Sequence, residues 1–225
     1  MRVDWLQHRF VLWVEFLLLF IGIPGWLVHL QLQGGILFLE TLLGLGVLTL
    51  LIGAVDPGVR FRERGSWPVA RKRVGVIFAR AAGVGVLLLL ATWWMWPDQF
   101  LRLVRERPQV WVLVMLLYPL LSVAPQEYIF RVYFMQRYRP LFGTGAGMLW
   151  VNALVFGWAH VFFLNPVAPI LSVAGGWLFA NTWRRTRSLR LVCLEHALYG
   201  QIIFTVGLGW FFYNGSAQVV EKMVE

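Results

Sequence analysis

Seven apolar runs follow one another along this chain, at about 10–30, 35–55, 74–96, 110–124, 144–164, 167–183 and 191–213, with only short polar links between them. A helix that crosses a bilayer needs about 20 mostly apolar residues. Runs of that length predict an all-α, polytopic transmembrane helical bundle of about seven spans. The charge supply agrees, because only 14% of the residues are charged, against about a quarter in a typical soluble domain. So few charges cannot coat a water-facing surface. An ordinary soluble domain, a disordered chain and a fibrous repeat are all excluded. The 13 Trp and 22 Gly suit the same reading, since Trp favours the membrane interface and Gly lets helices approach closely.

Apolar character continues past the fourth run through Tyr128, Ile129, Phe130, Val132, Tyr133 and Phe134. This predicts one long helix bent at Pro119 and Pro125, which is tolerated where neighbours satisfy the freed carbonyls. The first run holds Gly22, Ile23, Pro24 and Gly25, which read as a helix break. No small-x-small cleavage site follows it, so it is expected to be a retained span rather than a signal peptide. The longest polar stretches, 56–73 and 97–109, are too short to fold alone. One membrane-embedded domain over 1–225 is therefore expected, with a chemistry-bearing core at about 110–213.

The net charge is +9. On a soluble protein this would suggest nucleic acid, but here the arginines fall between apolar runs and nucleic acid is not expected. With the N-terminus inside, the inner segments hold Arg2 and Arg9, then Arg60, Arg62, Arg64, Arg71, Lys72 and Arg73, then Arg137 and Arg139, then Arg184, Arg185, Arg187 and Arg190. The outer segments hold only Arg102, Arg105, Arg107 and Lys222. This bias predicts an integral multi-pass protein with the N-terminus inside and, for seven spans, the C-terminus outside. The basic loops would also favour anionic lipid. The single cysteine, Cys193, permits no internal disulfide and reads as a small apolar residue.

Ionisable groups within apolar runs are costly and mark candidate sites. They are Glu15, His29, Glu40, Arg80, Glu127, Arg131, His160, Glu195 and His196. Glu15, His29 and Glu40 lie near span ends, and Arg80 is placed to snorkel to the interface. The others group differently. Glu127 and Arg131 are four apart, so on a helix they share a face with the acid N-terminal. Phe156 and His160 share that spacing, as do His196 and Gly200. Three helices thus each present polar groups in otherwise apolar sequence. A carboxylate or imidazole can take a proton from water, and a second imidazole can steady the oxyanion formed on an amide carbonyl. Buried polar groups also serve plain packing between membrane helices, and both readings stay open on the pattern alone. There is no His-Glu-x-x-His and no Gly-x-Ser-x-Gly, which argues against the common zinc and serine protease plans.

These pieces, in this order, resemble the CPBP family, the CAAX-processing and bacteriocin-processing intramembrane proteases. The family's motifs are Glu-Glu-x-x-x-Arg, Phe-x-x-x-His and His-x-x-x-Asn or Asp. The second Glu and the Arg fall on Glu127 and Arg131, the middle motif on Phe156 and His160, and the third on His196. The resemblance implies an all-helical membrane fold with a polar cavity and hydrolysis of a peptide bond in a membrane-anchored substrate. Glu127, His160 and His196 would be catalytic. Glu127 would activate water with His160, and His196 would bind the oxyanion. Gln126, Arg131, Phe156 and Gly200 would support them. No cofactor is favoured, and zinc on Glu127, His160 and His196 is the metal alternative.

Two positions depart from the pattern. Gln126 stands where the family has its first Glu, and its amide cannot take a proton from water. A non-catalytic relative, acting as an immunity or scaffold factor, is therefore a second alternative. Gly200 stands where the family has Asn or Asp, a loss that Gln201, Glu195 or a water could cover. A transporter would need paired broken helices in two related halves, and only the first span shows a break. Helix rise adds a constraint of its own. Measured from Arg139 and Arg190, Glu127 would lie roughly 18 Å deep and His196 only roughly 9 Å. Straight helices would keep them apart, unless the Pro119 and Pro125 bends or a deeper start of the last span closes the gap. The glycines at 143, 145 and 147 and at 175 and 176 permit close helix contact, within one chain or between copies. The oligomeric state is not legible.

Overall fold

The computed structural model describes residues 8–33, 38–56, 58–59 and 67–212, with the backbone alone at 38 and 67–72. The described residues form helices and turns with no strand. The main helices are α1 (Arg9–Leu32), α2 (Phe38–Val55), α3 (Trp67–Met95), α4 (Pro108–Arg137), α5 (Ala146–Trp158), α6 (Val167–Thr186) and α7 (Leu189–Val206). Each of the seven expected runs is a helix. By length and apolar character, α1, the Arg73–Met95 part of α3, α4, α5 with its following turn to Phe163, and α7 can each cross a membrane. The apolar part of α2, Leu39–Val55, is shorter. Asn181, Arg184 and Arg185 dilute the end of α6. The start of the second run at 35–37 lies outside the described residues, as do Arg2, Arg60, Arg62, Arg64, Lys222 and the side chains of Arg71 and Lys72.

Burial separates inner from outer helices. In the apolar windows of α5 and α7, 44% of residues are buried inside the protein, against 11% in α3 and in α4. The helices that carry the His motifs therefore form the interior. α5 and α6 pack closely along their length because glycine opens the contact. A Cβ on Gly157 would overlap the Val173 side chain and approach the Pro169 carbonyl at 3.0 Å. A Cβ on Gly176 would lie 3.0 Å from the Phe156 ring.

The expected break at Gly22–Gly25 is not present. α1 is continuous from Arg9 to Leu32, and Leu17–Gly22 is a π-helical turn. Pro24 follows that π turn, inside the continuous helix. The feature that alone suggested a transporter-like broken helix is thus absent. Leu12, Phe16, Phe20 and Leu27 are buried at helical spacing. Phe16 and Phe20 meet Phe134 and Tyr138 from the end of α4, ring to ring, at 4.9–6.0 Å.

α4 is one helix, as expected, but its irregularities are π turns at Pro119–Val123 and Tyr128–Tyr133. Its last residue is not exposed. Arg137 is 1% exposed. It donates to Glu15 at 2.6 and 3.0 Å and to Asp56 at 2.9 Å. The hydroxyls of Tyr133 and Tyr138 donate to the same Glu15 at 2.6 and 2.8 Å. This cluster ties α1, the end of α2 and the end of α4 together. Arg137 is therefore not the water-facing orienting charge that its position suggested.

Arg80 is likewise not a free snorkel. It donates to Glu195 on α7 at 2.6 Å, and more weakly to Thr182 on α6 at 3.4 Å. The pair pins α3 against the inner helices, and Glu195 is fully buried. His29 and Glu40 are exposed, in line with their place near span ends.

Candidate functional site

Glu127 and His196 are in contact. Glu127 Oε1 lies 2.7 Å from His196 Nδ1, so the depth gap expected of straight helices is closed. The markers Arg139 and Arg190 are both exposed, so the gap is closed within the bundle. A carboxylate only accepts, so His196 Nδ1 carries the proton and donates it to Glu127. Nε2 is then the acceptor, and the Tyr118 hydroxyl donates to it at 3.1 Å. The imidazole stacks on Phe179 of α6, with centroids 4.5 Å apart and planes at 19°.

Arg131 sits beside the same carboxylate, its Nε 3.0 Å from Glu127 Oε2, and both side chains are fully buried. The contact is electrostatic, without hydrogen-bond alignment. Arg131 Nη1 donates to Asn152 Oδ1 of α5, and Asn152 Nδ2 donates to the Phe130 carbonyl at 2.8 Å. The guanidinium also lies over the rings of Phe156 at 5.0 Å and Phe179 at 5.7 Å. Helices α4, α5, α6 and α7 therefore all fix one charged pair, which suits the cost of burying it in lipid.

His160 stands at the C-terminal end of α5. Its Nδ1 donates to the Phe156 carbonyl at 2.7 Å, which leaves Nε2 as the acceptor. The Phe156 ring packs beside both imidazoles, 4.8 Å from His160 and 5.7 Å from His196.

A cavity of about 540 Å³ opens against these groups. Leucines and valines of α3 and α4 are prominent in its apolar lining, and its polar lining is formed by Tyr118, Ser122, Gln126, His160, Ser172, His196 and Tyr199. Glu127 is not in that lining. Adjacent helical residues point about 100° apart, and here the neighbours divide. Gln126 faces the cavity, while Glu127 faces His196 and Arg131. The sequence reading had Glu127 touching water; its carboxylate instead sits behind the imidazole. Gln126 Nε2 donates to Ser122 at 2.7 Å, and its Oε1 is buried without a partner. Gln126 and His160 also bound a smaller space of about 60 Å³ toward α1 and α2.

Neither proposed substitute for the third motif's last residue takes that role. Gln201 donates to the Met115 carbonyl at 2.9 Å, and Glu195 pairs with Arg80. The place a side chain at Gly200 would occupy is filled by Tyr118. The zinc alternative named Glu127, His160 and His196. Of these, Glu127 accepts from His196 Nδ1 at 2.7 Å. Among the described residues, no three His, Cys, Asp or Glu gather as a metal site.

Tyr118, Asn152 and Phe179 are site residues that the sequence reading missed. Asn152 carried a signal, being polar, within a span and four residues before Phe156. Nothing in the sequence marks Tyr118 or Phe179 among the many aromatics.

The described residues thus form an all-helical bundle with buried Glu, Arg and His at its centre. Residues 108–202, under half of the chain, match the family described as type II CAAX prenyl endopeptidase, Rce1-like. The match spans the helices that carry Gln126 through Gly200. Comparisons with curated proteins and with solved structures gave no match.

Proposed function

We propose that the chain is an intramembrane endopeptidase that activates water with imidazole backed by carboxylate. One observation carries this reading: His196, oriented by Glu127 at 2.7 Å, and His160 both line one cavity and both offer Nε2 as an acceptor. A water held there donates one proton to His196 Nε2. Glu127 stabilises the imidazolium that forms, as a carboxylate does behind a catalytic histidine. His160 Nε2 accepts from the same water and aims it. The hydroxide adds to the scissile carbonyl carbon, and the C–N bond breaks as His196 returns its proton to the leaving amine. Arg131, held by Asn152, keeps Glu127 in place.

The substrate is a membrane-anchored peptide that enters beside α3 and α4, whose leucines and valines line the cavity. The family's description, with its prenylated CAAX tails, suggests a lipid-modified C-terminal segment. The test is cleavage of such a tail by purified protein in lipid, with a chelator present. His196→Ala and His160→Ala should each lower turnover at least 100-fold while the helical content stays as in the unaltered protein. Full activity in both variants would sink the assignment.

A second reading has one observation in its favour. Of the adjacent pair Gln126 and Glu127, the one in the cavity lining is Gln126, where the family carries Glu. A relative that binds such tails without cutting them would be built this way.

A further inference from the structure

The third motif of this chain lacks a polar side chain at Gly200, and the space is not empty. A Cβ on Gly200 would overlap the Tyr118 hydroxyl and the ring carbons that carry and flank it. Tyr118 comes from α4, and Gly200 from α7. A larger residue at 200 and a tyrosine at 118 exclude each other sterically. The hydroxyl that takes the space lies 3.1 Å from His196 Nε2 and lines the cavity with His160 and Gln126. The ring is fixed edge-on against Phe204, 5.5 Å away, so the hydroxyl is held rather than swinging.

We propose that the Tyr118 hydroxyl is the oxyanion donor of this site, supplied from α4 in place of a side chain at 200. The inference rests on the peptidase reading above. With the cavity free of substrate, the O–H proton is directed at His196 Nε2, because that nitrogen has the lone pair and Nδ1 has the proton. An incoming water takes the Nε2 lone pair for its own hydrogen bond. The Tyr118 proton is then released to the carbonyl oxygen of the bound peptide. As water's proton passes to Nε2 and the hydroxide adds to carbon, the carbonyl π electrons move onto oxygen. Tyr118 donates to that negative oxygen without losing its proton. When the C–N bond breaks, the electrons return to the carbonyl and the donor falls back to His196. A single lone pair on Nε2 thus times the hand-over, with no other group needed.

The test compares Tyr118→Phe with the unaltered protein on a membrane-anchored peptide in lipid vesicles. Phe keeps the ring that fills the space over Gly200, so packing is retained. Turnover should fall about 100- to 1,000-fold, as for loss of one oxyanion donor, while KM stays within about threefold. A second pair uses the steric exclusion. Tyr118→Ala should be as inactive as Tyr118→Phe, and adding Gly200→Asn to it should recover at least tenfold. Gly200→Asn alone should fail, because Tyr118 still occupies the space. If Tyr118→Phe turns over as the unaltered protein does, the donor role is overturned while the peptidase reading stands. If the unaltered protein and His196→Ala are equally inert on every anchored peptide, both readings fall. A raised KM with unchanged turnover would make Tyr118 a substrate contact only, and would overturn the oxyanion role.

Discussion

Arg131→Met strands two buried acceptors at once, which makes it the sharpest probe of how the site is held. The Glu127 carboxylate loses its only cation, and Asn152 Oδ1 loses the guanidinium that donates to it. Removing one partner of a fully buried ion pair costs about 3–5 kcal/mol. Two facts place the expected loss near ~3 kcal/mol. Glu127 keeps the 2.7 Å hydrogen bond from His196, and a membrane-embedded unfolded state also finds partners for its polar groups. Glu127→Gln added to Arg131→Met removes the stranded charge while an amide oxygen still accepts from His196. The residual loss is then the unpaired Asn152 oxygen, about 1–2 kcal/mol, so the second change should restore about 1–2 kcal/mol. Unfolding in mixed micelles with rising anionic detergent, followed by the fluorescence of the 13 Trp, reads both values. A single variant within about 1 kcal/mol of the unaltered protein would refute the reasoning, as would a double variant no more stable than the single.

Gln126→Glu places a carboxylate in the cavity lining, where only imidazoles and hydroxyls stand now. If His196 and His160 already activate water, cleavage of an anchored peptide should change by less than about tenfold. Activity that appears only in this variant would favour the non-catalytic reading. Gly157→Ala drives a methyl into Val173 and the Pro169 carbonyl across the α5–α6 contact. It should destabilise by about 1–3 kcal/mol in the same unfolding assay, and Val173→Ala should recover part of that. No loss from Gly157→Ala would mean that the contact yields more easily than the geometry implies.

The residues of the site were mostly legible because their chemistry is expensive where they sit. Glu127, Arg131, His160 and His196 stand out from an apolar background, and helical spacing alone put Glu127 and Arg131 on one face. Residues whose role depends on what lies across a helix interface were misjudged. Arg80 and Arg137 look like ordinary membrane-edge arginines in the sequence, and each proves to hold a carboxylate from another helix. Gly200 looked like a loss because the hydroxyl that fills its place is far away in the chain.

By itself the sequence determined the solvent, the all-helical class and the short roster of buried polar residues. Lipid forces long apolar runs into helices, and it penalises any charge left within them. Only the tertiary structure decided which neighbour faces the cavity. Gln126 and Glu127 are consecutive, and the rotation of α4, set by two π turns and by packing on α2 and α7, turns one outward and buries the other behind His196. A pattern of residue types records that both are present, but the rotation of a helix within its bundle is fixed by contacts with partners distant in the chain.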